Sequence, residues 1–355
     1  MINTVTLLAP LLTQALGRTK LMNRNFFFVA LAALMALPAM SFAWTVNSRE
    51  LVDVQFSGDD SLIILVSAPY ASEPGIYRWP HDADAPTLLC GIASPTAFSF
   101  DRRTIIERVN GAEPELRLYT PSTCKLQQRI KLDGYALDAD VYAGVVAVAV
   151  RARNQQNELR LYGALGPGHR AQPTALIGRN VEIGFAPDGR SVVNFDLSDG
   201  NNDAWRVPSL APQPLPAWMT SGETTFVPGS PFVKRYDKDA VSVARWPGGQ
   251  VIYSLPAAHG VRIRQLSATG RFGALHSIDA LTAANQALDW VDFATQKRVR
   301  LATGSIDNAA IHAAGKRVAW ALRHATDADQ VAVEFAHINA DGNAVLPPVD
   351  TRARQ

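Results

Sequence analysis

The pattern along this chain that predicts structure most directly is a polar and apolar alternation that comes back. Glu115-Leu116-Arg117-Leu118-Tyr119 returns unchanged as Glu158-Leu159-Arg160-Leu161-Tyr162, and a period of two marks a strand with one buried face. Looser copies stand at Gly75-Ile76-Tyr77-Arg78-Trp79, Asp203-Ala204-Trp205-Arg206-Val207, Ser242-Val243-Ala244-Arg245-Trp246, 288–293 and 331–335, which makes seven equivalent strands. Before each runs an apolar residue, a tight turn and a strongly apolar strand. The clearest example is Phe185-Ala186-Pro187-Asp188-Gly189-Arg190-Ser191-Val192-Val193, and others start at Phe56, Phe98, Val141, Phe226, Leu266 and Ile311. Turn chemistry accounts for the composition, because Pro presets φ, Asp or Ser bonds nearby backbone N–H groups, and Gly takes positive φ. The turn aspartates are therefore read as structural. A further short apolar segment follows most copies, as at 126–132, 251–255 and 299–302.

Four short strands thus repeat as a unit. The turn residues Asp59, Asp101, Ala143, Asp188, Gly229, Thr269 and Ala314 lie 40 to 45 residues apart. A period near 42 with four strands predicts an all-β chain folded as a single β-propeller. The 312 residues of 44–355 divide into seven blades of about 45, with six or eight as the alternatives. The last blade has strands near Ile311, Val318, Val331 and Val345, so the ring is expected to close by face packing or by a short strand at residues 44–47. The segment Phe185 to Arg190 resembles the repeat of TolB-type and related WD-repeat-like propellers. The Gly-His and Trp-Asp pairs of true WD repeats are absent, as is room for the N-terminal α/β domain of TolB. The resemblance therefore implies the fold and leaves the role open.

The N-terminal region changes the compartment. Met22-Asn23-Arg24-Asn25 precedes an apolar stretch over 26–37, Pro38 and Ser41-Phe42-Ala43, the order of a signal peptide cleaved between Ala43 and Trp44. A dozen apolar residues fall short of the roughly 20 that span a bilayer, so no transmembrane segment is expected after cleavage, and no Cys follows to take a lipid. Residues 1–21 lack this grammar, so translation is expected to begin at Met22. The domains read as 1–21 untranslated or disordered, 22–43 signal peptide and 44–355 propeller, exported to a bacterial periplasm as a monomer. Export permits Cys90 and Cys124 to pair; two separate buried thiols are the alternative.

Composition excludes one class of partner. With 34 Lys+Arg against 32 Asp+Glu, the net charge of +2 is far from the basic surface that nucleic acid needs. No Gly-x-Ser-x-Gly or His-Glu-x-x-His occurs, so no catalytic residue and no cofactor-binding residue is assigned. Gly163-Ala164-Leu165-Gly166-Pro167-Gly168 has the wrong spacing for a dinucleotide loop and reads as a hairpin. Asp196, Asp199 and Asp203 make the 196–203 loop a calcium candidate, although Gly200 falls one position early for an EF-hand and a solvated turn is the plainer reading. The loops from second to third strand and between blades share a rim. There the sequence places Glu73, Arg151, Arg153, Asp196, Asp199, Asp237, Asp239, Arg323, His324 and Asp327 as a mixed-charge ring. Two functions compete: a non-catalytic propeller binding a protein or cell-envelope component, and a channel-mouth enzyme. The enzyme would be a metal-dependent lactonase-like hydrolase or a quinoprotein-type oxidoreductase subunit.

Overall fold

The computed structural model describes residues 44–47, 49–67, 73–163, 174–175, 181–195, 202–219, 223–237, 239–257, 260–277, 286–323 and 329–345. The leader, Asp196, Asp199, His324, Asp327 and the side chain of Asp237 lie outside what is described. The described chain is antiparallel β throughout apart from one 3-10 turn at Ala217–Met219.

Strand β1 (Trp44–Asn47) comes first, and the blades follow in order. Blade 1 holds β2 (Leu51–Phe56), β3 (Leu62–Val66), β4 (Gly75–Trp79) and β5 (Thr87–Gly91). Blade 2 holds β6 (Pro95–Phe98), β7 (Ile105–Val109), β8 (Glu115–Tyr119) and β9 (Leu126–Lys131). Blade 3 holds β10 (Gly134–Tyr142), β11 (Val145–Ala152), β12 (Asn157–Tyr162) and β13 (Thr174–Ala175). Blade 4 holds β14 (Ile183–Phe185), β15 (Ser191–Asn194) and β16 (Asp203–Arg206). Blade 5 holds β17 (Glu223–Phe226), β18 (Phe232–Asp237), β19 (Ala240–Arg245) and β20 (Gln250–Pro256). Blade 6 holds β21 (Val261–Leu266), β22 (Phe272–Ser277), β23 (Ala287–Asp292) and β24 (Lys297–Thr303). Blade 7 holds β25 (Ile306–Ile311), β26 (Arg317–Arg323), β27 (Gln330–Ile338) and β28 (Ala344–Val345).

The seven alternating segments are the third strands, as the sequence predicts, and the turns before them join first to second strands. Second strands lie between neighbouring blades and bury both faces, so Leu62-Ile63-Ile64-Leu65-Val66 is apolar without a break and wholly buried. Fourth strands are edges, which explains the exposed polar run of β9. In blade 4 the fourth position is an irregular segment. Pro212 bridges to Trp205, Ala211 accepts from the Arg206 N–H, and Gln213 donates to the Ala204 carbonyl. Pro212 and Pro214 have no N–H to offer a regular ladder.

The ring closes through a composite strand. Residues Ile338 and His337 of β27 pair with Ala344 and Val345 of β28, while Val333 to Gln330 pair with Trp44 to Asn47 of β1. The fourth strand of blade 7 is therefore half C-terminal and half N-terminal, and face packing of a complete last blade is not the closing device. Val46 buries itself with Val54, Ile64 and Val333 at this seam. One covalent bond also crosses a blade junction: Cys90 of β5 and Cys124 of the β8–β9 turn form a disulfide with Cα atoms 6.2 Å apart.

Candidate functional site

The first strand of each blade faces the axis, where no backbone ladder joins one blade to the next. Polar side chains make the joins instead. Asp140 of β10 accepts from the backbone N–H of Phe100 in blade 2 (2.7 Å) and of Phe185 in blade 4 (2.8 Å), and Asp138 accepts from Ile183 (2.8 Å). Gln265 accepts from the Ile311 N–H (3.2 Å), and the amide of Asn308 donates to Asp53 (2.9 Å), carrying the stitching from blade 6 through blade 7 to blade 1. Lys234 Nζ donates to the Arg264 carbonyl (3.3 Å) and Tyr236 to the Ile263 carbonyl (3.0 Å), joining blades 5 and 6. Burial raises the carboxyls of Asp138 to about 6 and Asp140 to about 7, outweighing the N–H groups that favour the anion.

Lys234 departs from the pattern of its strand. It pairs with Thr225 of the first strand, and the equivalent positions of the other six blades are Ile63, Ile106, Ala147, Val193, Ala274 and Ala319. All six are buried. The ammonium is held down at about 8, first by burial and then by the positive charges of Arg264 and Arg102. The Arg264 guanidinium lies against His276 Nδ1 (Nη2 at 2.7 Å), and His276 Nε2 meets Gln286 Oε1 at 2.9 Å. A ring nitrogen accepting from arginine fixes the neutral tautomer with hydrogen on Nε2. Burial and Arg264 both push this imidazole below its ordinary range.

At one end the channel widens into a cavity of about 530 Å³. Its wall is made by first-to-second-strand turns of five blades, with Ser57, Arg102, Gly229, Ala268 and His312 among them, and by Pro121 of the β8–β9 turn. These turns are set by their own bonds. Asp101, for example, accepts from Ser99 Oγ (2.6 Å), from the Arg103 N–H (3.0 Å) and from the Ala143 N–H of blade 3 (3.0 Å). The blade 2 turn reaches across the axis to blade 5: Phe100 stands edge-on to Phe226 (6.3 Å between centroids), and a Cβ on Gly229 would lie 3.2 Å from Arg102 Cδ. Beyond it a second cavity of about 280 Å³ is lined by Phe98, Phe195, Asp138 and Glu182.

The described residues of the rim named from the sequence lie at the opposite ends of the strands from these turns. Arg151 and Arg153 flank the β11–β12 turn and are exposed, Arg151 near Asn157 (3.5 Å); Asp239 is exposed in the β18–β19 turn. Arg323 is held by Asp307 (2.9 and 3.1 Å). Of the calcium candidates only Asp203 is described, half-buried on β16, and among the described residues no group of three His, Cys, Asp or Glu is placed to hold a metal. Lys234 and Arg102 were missed. The signal for the first was present, a lysine at the register position that six other blades fill with apolar residues.

No family model and no curated protein matches the sequence. Solved structures do. The β-propeller domain of Cps50 (Swd1) from Myceliophteria thermophila superposes with a TM-score of 0.53 at 12% identity, covering 82% of this chain and 97% of that one. A chain of the mitotic checkpoint complex gives 0.49 at 10% identity, covering 82% and 92%; a eukaryotic initiation factor gives 0.47 at 12%, covering 84% and 77%. The fold is a WD-repeat-like, seven-bladed propeller. At such identities the likeness concerns architecture alone.

Proposed function

We propose that this protein is a non-catalytic periplasmic propeller that binds a protein or cell-envelope partner, with the recess among the first-to-second-strand turns as the receiving site. The observation that supports it is the 530 Å³ recess framed by hairpins of five blades, each fixed by short-range hydrogen bonds. A preformed concave site binds with little ordering cost. A partner segment seated there would touch Arg103, which is exposed on the wall.

Site-specific photocross-linking in the producing cell tests the reading. A cross-linker replacing Arg103 is expected to capture one protein or envelope component, and the same group replacing Arg153 on the opposite rim is expected not to. Capture from Arg153 alone, or from neither, overturns it. The compartment has its own test: intact mass of the exported protein is expected to start at Trp44, and a retained leader refutes export with cleavage.

A further inference from the structure

Arg102 breaks two rules at once. Its φ is 60°, the left-handed position of the blade 2 turn, which blades 4, 6 and 7 fill with Gly189, Gly270 and Gly315 at φ 66°, 72° and 74°, and blade 1 with Asp60 at φ 66°. A side chain with Cβ is strained there. Its Nε and Nη2, which project on the same edge of the guanidinium, are shut off from solvent and have no hydrogen-bond partner. Elsewhere in the molecule that edge grips a carboxylate: Arg271 donates from Nε (2.9 Å) and Nη2 (2.7 Å) to the two oxygens of Asp292. A buried, unpaired donor edge on a strained residue in a cavity wall calls for a functional account.

The neighbouring carboxylates are already engaged. Asp53, within electrostatic reach of Arg102, accepts from Asn308 and the Val54 N–H, and Asp101 accepts from three donors. Lys234 is a second cation within electrostatic reach of Arg102. The remaining wall is mixed: Phe56, Pro121, Pro228, Leu266 and Ala268 give it apolar surface, among polar residues such as Gln55, Ser230 and His312.

We propose that the larger mouth is a site for an organic carboxylate, whose two oxygens are received by Nε and Nη2 of Arg102 while its apolar stem lies on Phe56, Pro228 and Leu266. The planar fork of arginine matches a carboxylate bidentately; binding requires the guanidinium to turn about its terminal dihedrals, because in this structure that edge is shut off from solvent. This deepens the partner reading, since the carboxylate can be the end of a partner's chain, and it holds equally for a free organic acid.

The test is thermal melting and calorimetric titration at fixed ionic strength, with hexanoate, inorganic phosphate, and acetyl-Ala-Ala-Leu carrying a free or amidated C-terminus. Wild type is expected to be stabilised by a carboxylate and not by the amide or by phosphate. Arg102→Gly adopts the residue its sister turns use. It is expected to melt a few degrees higher without ligand and to lose the response, while Arg102→Lys keeps the charge and binds at least tenfold more weakly. A response to hexanoate identifies a free acid as sufficient, and a response to the free peptide alone identifies a chain terminus. No response in wild type, an equal response to phosphate, or a response that survives in Arg102→Gly overturns the proposal. Failure to capture a partner through Arg103 leaves the hexanoate result standing, so the two readings fail separately.

Discussion

Ring closure by a composite strand makes the few residues of β1 worth more than their number suggests, and Val46→Asp measures it. Val46 is 8% exposed and sits opposite Val331, in the cluster shared with Val54 and Val333, whereas Thr45 on the same strand is exposed. Losing the burial of a valine costs about 1.5 kcal/mol or somewhat more. Keeping an aspartate in the pocket at pH 7 adds about 4 kcal/mol for protonating it, at 1.36 kcal/mol per pH unit. Peeling β1 away is cheaper: it gives up Val46, part of the Trp44 contact with Tyr77 (5.1 Å between centroids) and ladder bonds of about 1 kcal/mol each. The expected loss is therefore about 3–5 kcal/mol. Thr45→Asp should stay within about 0.5 kcal/mol of wild type. Urea unfolding gives both numbers, and hydrogen exchange is expected to quicken over Gln330–Val333 in Val46→Asp alone. Equal stability of the two variants, or unchanged exchange in that stretch, would refute closure through β1.

Two other measurements follow from the same structure. The Cys90–Cys124 bond closes a sequence separation of 34, so replacing both by Ser is expected to cost about 3–4 kcal/mol in the chain-entropy estimate; identical urea midpoints for oxidised wild type and the double variant would contradict it. Asp140 has its folded-state carboxyl raised to about 7 from an ordinary 3.8, so the folded state holds the proton more tightly. Its stabilising contribution is complete below about pH 4 and is lost as pH rises to 7, a change of about 4 kcal/mol. Asp140→Asn should remove that slope whatever its own offset, and parallel stability profiles of wild type and variant between pH 4 and 7 would contradict the assignment.

The blades were legible because each is written in local chemistry. Glu115 to Tyr119 and Glu158 to Tyr162 alternate because third strands bury one face, and Pro187-Asp188-Gly189 marks a reversal that only a few residues can make. The strand at residues 44–47 was one of two closures the sequence left open, and the β27 pairing decides for it. The mouth could not, because what distinguishes its residues is position relative to six other blades. Lys234 lies in Phe232-Val233-Lys234-Arg235-Tyr236, an ordinary amphipathic strand until the register shows it at the position that Ile63 and Val193 fill in their own blades. Arg102 reads as one of two solvated arginines in a turn until its φ and its unpaired guanidinium edge are seen together. The 196–203 loop drew attention through composition, the kind of signal a solvated turn produces as readily as a site.

The placement of the channel cations follows from how the blades are joined. On the side of blades 2, 3 and 4 the axial carboxylates Asp138 and Asp140 are consumed by backbone donors of their neighbours, so that side is rigid and its acids are engaged. Between blades 4 and 5 the join is apolar instead, with Phe195 edge-on to Phe226 (5.2 Å between centroids) and Met219 buried beside them. On the first strand of blade 5, Thr225 Oγ1 is buried without a hydrogen-bond partner. That is the blade on which a lysine replaces an apolar residue, and toward which Arg102 reaches across the axis. The Phe195–Phe226 contact contributes about 0.5–1.5 kcal/mol beyond its burial to cohesion at this junction. On the wall beside it Lys234 is held by the Arg264 carbonyl, while Thr225 Oγ1 and the Nε–Nη2 edge of Arg102 are without a hydrogen-bond partner.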